Sequence, residues 1–198
     1  MIARHGLVPL LVAIFAAVLV MQFMGFPYSL PFWLLTALVM WMYRDPTRKV
    51  PSSPLSILSP ADGRITSVTH TRDPYLDRAS LRISINMSPL GVYTTRSPVE
   101  GKVLEPPVRG GNDGEPHGVW LQTDEGDDIV MVMNRGRMNN KPRCYIGFGE
   151  RVGQGRRCGF VHWGGQINIY LPDYSRPVVE ENARVTGGED VVAYLVHE

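Results

Sequence analysis

The chain has 198 residues, a net charge of +1 and 44% hydrophobic residues. That length allows one domain and an appendage, and the near-neutral charge removes any electrostatic case for a nucleic-acid partner. Two cysteines, Cys144 and Cys158, have no metal-like spacing; they fit a reducing compartment, with one disulfide as the other arrangement.

Leu7–Phe26 is almost wholly apolar, and about twenty such residues cross a hydrocarbon core of about 30 Å as a helix. The Gly25–Pro31 region breaks the run. A second apolar run, Leu30–Tyr43, is about fourteen residues and marginal as a span. Arg4 and His5 precede the pair, and Arg44, Arg48 and Lys49 follow it. Positive charge on both flanks keeps both ends in the cytoplasm, so residues 1–45 are expected to form an α-helical membrane hairpin. Trp33, Trp41 and Tyr43 suit the interfaces. A signal peptide is shorter and is not followed at once by a second apolar run; a shallow re-entrant insertion is the remaining rival.

Residues 46–58 form an extended linker through Pro51, Ser52, Ser53 and Pro54. Residues 59–198 read as β-rich. Alternation and turn residues place strands near Arg64–Thr69, Leu81–Asn86, Val92–Thr95, Lys102–Leu104, Gly118–Thr123, Ile129–Asn134, Arg143–Ile146, Phe160–Trp163, Gln166–Leu171 and Val191–Leu195. Pro106–Pro116 is a Gly/Pro-rich surface turn. Arg151-Val152-Gly153-Gln154-Gly155 and Arg184-Val185-Thr186-Gly187-Gly188 form a weak internal repeat, of the kind found in lipoyl- and biotinyl-type barrel-sandwich domains. The histidines show no ligand spacing, so no metal is expected, and no Gly-rich phosphate loop precedes a helix.

Met87–Gly101 reads MSPLGVYTTRSPVEG and carries the Ser-Pro steps Ser88-Pro89 and Ser97-Pro98. It resembles the core motif of the phosphatidylserine decarboxylases, Met-Ser-Pro-x-Asp-x-His leading to Arg-Ser-Pro-x-x-Gly. Arg44-Asp45-Pro46-Thr47-Arg48 is similar to the family's entry into its soluble domain. Ser59-Pro60-Ala61-Asp62-Gly63 matches its Ser-Pro-Ala-Asp-Gly motif, and Phe160–Pro172 resembles its C-terminal signature. The resemblance implies an inner-membrane protein of phospholipid metabolism, a lyase family whose domain faces the cytoplasm. In the family the Asp orients a catalytic His, and a Gly-Ser bond cleaves itself to leave a pyruvoyl group. That group forms a Schiff base with the lipid amine and takes up the electrons as CO₂ leaves.

At the family's catalytic positions this chain carries Asp62, Tyr93 for the His, and Gly164-Gly165 for Gly-Ser; Gly91 also replaces an Asp. Glycine has no oxygen to attack with and no β-carbon to become the pyruvoyl methyl, so no pyruvoyl cofactor is expected. Asp62 is then either a turn residue or an acceptor for the Tyr93 hydroxyl. Cys158 and Ser175 are the candidate substitute nucleophiles. Cys158 reads better as a buried strand-edge residue. Arg96 is a candidate phosphate contact, with a salt bridge to Glu100 as its plain alternative. His162 is a candidate lipid contact alongside Arg96, with a base and a surface or rim histidine as the other readings. The expected function is a non-catalytic partner that binds aminophospholipid or regulates an active decarboxylase or other lipid enzyme, with homo-oligomerisation open. The alternatives are an active decarboxylase with another processing site, and a membrane-tethered adaptor presenting an apolar surface around Met131–Met138.

Overall fold

The computed structural model describes residues 6–105, 117–136 and 139–196. The chain divides into two compact units, Met1–Thr47 and Arg48–Glu198. The first contains the helices α1 (Leu7–Met24) and α2 (Phe26–Met42), joined through Gly25. Gly25 has φ 87°, a left-handed conformation open to glycine because it has no Cβ. α1 is long and apolar enough to cross a membrane, and only 11% of it is buried, unlike the core helix of a soluble domain. α2 is longer than its apolar run suggested, at 17 residues. Pro27 falls in its first turn, where no N–H is required, and Pro31 is carried inside the helix. The hydroxyls of Ser29 and Thr36 donate to the carbonyls of Phe26 and Phe32, which satisfies them within an apolar helix. A Cβ on Gly6 would fall 2.4 Å from Cβ of Tyr43, so the start of α1 lies beside the end of α2.

The second unit is built from strands. They are β1 (Ser56–Leu58), β2 (Gly63–Arg72), β3 (Ala79–Met87), β4 (Thr94–Arg96), β5 (Gly101–Leu104), β6 (His117–Gln122) and β7 (Asp128–Met133), followed by β8 (Arg143–Cys144), β9 (Arg151–Val152), β10 (Arg157–Phe160), β11 (Gln166–Pro172), β12 (Arg176–Pro177), β13 (Arg184–Val185) and β14 (Val191–Tyr194). An eight-stranded sheet has the order β13-β2-β3-β11-β7-β6-β5-β9, and two three-stranded sheets have the orders β1-β14-β12 and β4-β10-β8.

Period-two alternation sets the main sheet. Ile83, Ile85 and Met87 of β3 share one face with Ile167, Ile169 and Leu171 of β11. Register then builds continuous rows, Ile65–Ile85–Ile167–Met133 and Ile83–Ile169–Met131. Each fully buried aliphatic side chain in these rows contributes on the order of 1.5–3 kcal/mol. The opposite face carries a smaller cluster of Val130, Val132 and Tyr170, packed by Tyr75, Leu76 and Trp120. β7 is therefore covered on both sides.

A local two-fold repeat organises one end of the domain. Ser59-Pro60-Ala61-Asp62-Gly63 opens β2, and Ser97-Pro98-Val99-Glu100-Gly101 opens β5. In each, the Ser hydroxyl donates to the carbonyl two residues on, to Ala61 at 2.8 Å and to Val99 at 2.7 Å. Leu58 N–H donates to the Pro98 carbonyl, and Arg96 N–H donates to the Pro60 carbonyl. The Arg-Val repeat joins the same pattern: β9 and β13 are the two edges of the large sheet. Gly155 and Gly188, both at positive φ, donate to the carbonyls of Ser97 and Ser59.

Three expectations need correction. The strand placed at Phe160–Trp163 is β10 at Arg157–Phe160, and the chain turns through residues 161–164. Cys158 is buried in β10, the central strand of its sheet, so it is not at an edge. Met131 and Met133 are wholly buried, because they belong to the rows of the main core; Met138 lies outside the described residues, as does the Pro106–Pro116 turn.

Candidate functional site

The chain leaves β10 in one sheet and enters β11 in another through Val161–Gly165. This crossing is tight. Gly164 N–H donates to the Val161 carbonyl at 3.2 Å, and Trp163 and Gly164 both have positive φ, 62° and 70°. Backbone hydrogen bonds pin the turn on both sides: Val161 N–H to the Tyr93 carbonyl, and Met87 N–H to the Gly165 carbonyl, each 2.9 Å. Ser88 N–H in turn donates to the Asp62 carbonyl at 3.4 Å. Asp62, Tyr93, Gly164 and Gly165, far apart in sequence, are thus gathered around the end of β3.

The side chains there are engaged as follows. Asp62 Oδ2 accepts from Arg48 Nη2 at 2.6 Å, and its Oδ1 accepts from the Gly187 N–H at 2.8 Å. Arg48 also lies 3.7 Å from Glu189, which accepts from the Lys49 N–H. The Tyr93 hydroxyl donates to the Pro89 carbonyl at 2.5 Å. Of the two roles left open for Asp62, acceptor for the Tyr93 hydroxyl is not the one taken, because that hydroxyl's single proton is used across its own turn.

Tyr93 is only 2% exposed and fills space. Its ring meets Phe160 edge-on at 6.0 Å and Trp163 at 6.5 Å, and His162 meets Phe160 edge-on at 4.7 Å. His162 is half-buried in the turn, off any strand. Arg96 is buried: its Nη1 donates to the Gly155 carbonyl at 3.0 Å, and its stem lies against Gly188.

Gly165 sits where backbone crowds in. A Cβ there would stand 3.2 Å from Cα of Gly136, 3.2 Å from Val161 Cγ1 and 3.3 Å from the Arg135 carbonyl oxygen. A Cβ on Gly136 would lie only 2.4 Å from the His162 carbonyl oxygen. Glycines at 136 and 165 permit this approach of two chain segments. Gly164-Gly165 does not fit a pyruvoyl group, which needs a side chain bearing a nucleophile at 165.

Both candidate substitute nucleophiles are buried. Burial pushes the Cys158 thiol up to about 12, which keeps it protonated. Ser175 is buried beyond the far end of β11, and the seven-residue strand puts about 20 Å between its ends. Among the described residues no group of three or more His, Cys, Asp or Glu side chains could hold a metal ion.

Sequence reasoning missed two parts of this arrangement. Arg48 was visible as a flanking charge and as the end of the Arg-Asp-Pro-x-Arg motif but not as a partner of Asp62, and the role of Gly136 carries no sequence signal because it depends on which segment packs opposite.

The family model described as phosphatidylserine decarboxylase matches residues 35–193. A phosphatidylserine decarboxylase proenzyme of Aromatoleum aromaticum is 36% identical, covering 98% of this chain and 96% of that protein. Proteins of the same name from Ralstonia pickettii and Nitrosomonas europaea are 38% and 35% identical. The first pairs 98% of this chain with 93% of the relative, and the second 97% with 94%.

Proposed function

The chain belongs to the phosphatidylserine decarboxylase family, and from that premise we propose that it is a member which does not cleave itself. It is a non-catalytic partner working at the phospholipid surface of the inner membrane, where it binds aminophospholipid or regulates an active lipid enzyme. The observation that carries this reading is Gly165. It offers no oxygen for attack on the Gly164 carbonyl, and backbone already crowds the direction in which a side chain would project. Replacement of the family His by Tyr93 and engagement of Asp62 by Arg48 point the same way.

The anchor is the hairpin of α1 and α2, with the positive flanks Arg44, Arg48 and Lys49 favouring a cytoplasmic domain. The barrel-sandwich architecture belongs to the same reading; the paired Ser-Pro-x-x-Gly turns support it.

Intact mass of the full chain purified in detergent tests the proposal, alongside CO₂ release from phosphatidylserine vesicles. One species at full-chain mass and no CO₂ above background are expected. Two fragments, the C-terminal one beginning with a carbonyl-reactive blocked end, would establish the active-enzyme reading instead.

A further inference from the structure

Two neighbouring turns end this corner of the β domain, and each carries an apolar side chain outward. Leu90, in the turn closed by Gly91 N–H to the Ser88 carbonyl, is 55% exposed. Trp163 is 40% exposed. The turns touch, since a Cβ on Gly164 would lie 3.2 Å from the carbonyl oxygens of Met87 and Ser88. Trp163 also has φ 62°, a conformation a bulky residue rarely adopts. Such conformations persist where the surroundings impose them, and they cluster at surfaces that meet ligands.

Basic residues flank the same corner. Arg64 follows the Gly63 that pairs with Met87, and Arg184 pairs with Arg64 across β13 and β2. Both are exposed, as is Lys49. Two carboxylates here, Asp62 and Glu189, lie within ion-pair distance of Arg48. Arg48 and Lys49, the first residues of this unit, are also bound at this corner, to Asp62 and Glu189. From the end of α2 at Met42 to Arg48 the chain extends at most about 20 Å.

We propose that this corner docks on an anionic bilayer surface, with Leu90 and Trp163 entering the interfacial layer and Lys49, Arg64 and Arg184 facing the headgroups. Aromatic rings favour that layer, and basic side chains beside an apolar insertion supply the attraction to anionic lipid. The proposal rests on the membrane-anchored reading above and adds an orientation to it. The contact lies on the surface and needs no open pocket behind Tyr93.

The test uses the full chain in vesicles of phosphatidylcholine with phosphatidylglycerol, and of phosphatidylcholine alone. Leu90→Cys in a Cys144→Ser background carries an environment-sensitive fluorophore, and lipids bearing a shallow nitroxide quench it. Glu125→Cys provides the control, since Glu125 is exposed in the turn between β6 and β7, at the other end of the sheet. Circular dichroism checks the fold of each variant. The label at 90 is expected to lose roughly half its emission in the anionic vesicles, with the label at 125 unaffected. Arg64→Glu with Arg184→Glu should abolish the difference between the two lipid mixtures. Equal quenching at 90 and 125, or none at 90, in protein that floats with the vesicles overturns the docking and leaves the anchor standing. Protein that fails to float overturns both.

Discussion

Arg48 Nη2 and Asp62 Oδ2 meet at 2.6 Å, with side-chain exposures of 13% and 24%. Through this pair the Asp62 carboxylate fastens the segment that follows the helices α1 and α2. Asp62→Asn should lower unfolding stability by roughly 1–3 kcal/mol, because the part-buried guanidinium loses the shorter of its two ion pairs and keeps only Glu189 at 3.7 Å. Arg48→Lys should cost less than Arg48→Ala. Urea unfolding in detergent reads both, and an unchanged midpoint for Asp62→Asn would show that the pair does not support the corner.

Restoring the hydroxyl alone should not restore chemistry. Gly165→Ser places a Cβ 3.2 Å from Cα of Gly136 and still leaves at position 93 a tyrosine, which carries no imidazole base and donates its hydroxyl to Pro89. The variant should run as a single full-length band on a denaturing gel after prolonged incubation. Cleavage in that variant would mean the fold retains the machinery and lacks only the nucleophile.

The paired turns give a symmetric prediction. A Cβ at Gly63 would lie 2.3 Å from the Asn86 carbonyl oxygen, and one at Gly101 would lie 2.3 Å from that of Gln122. Gly63→Ala and Gly101→Ala should each cost about 3 kcal/mol, since backbone must shift to admit the methyl group. Gly153→Ala meets nothing within 4 Å and should be close to neutral. Thermal unfolding of the three variants makes the comparison.

The thiols should differ sharply in reactivity. Burial holds Cys158 up to about 12, so at pH 8 the folded chain presents almost no thiolate there, and none reaches solvent. Cys144 is exposed, although partial burial of its sulfur also raises its pKa; its modification should accelerate as pH rises above the ordinary thiol range. Native protein treated with iodoacetamide should gain one adduct by mass, and unfolded protein two. Two adducts on native protein would show that β10 opens readily.

Much of this was legible from the chain. Long alternating segments announced β3 and β11 because a half-buried strand repeats every second residue. The strands β9, β12 and β13 were harder, since two residues carry no period; β9 and β13 showed only as a repeated Arg-Val. The second copy of Ser-Pro-x-x-Gly lay in plain sight at Ser97–Gly101, yet its equivalence to Ser59–Gly63 rests on hydrogen bonds between the copies. Sequence alone determined which atoms exist at the site: no hydroxyl at 165 and no imidazole at 93. Tertiary structure decided what the remaining groups do. Asp62 meets Arg48, Tyr93 turns back to Pro89, and Gly136 closes on Gly165. Arg48 and Gly136 reach their partners only after the sheets set their register and pack, so no local pattern could name them.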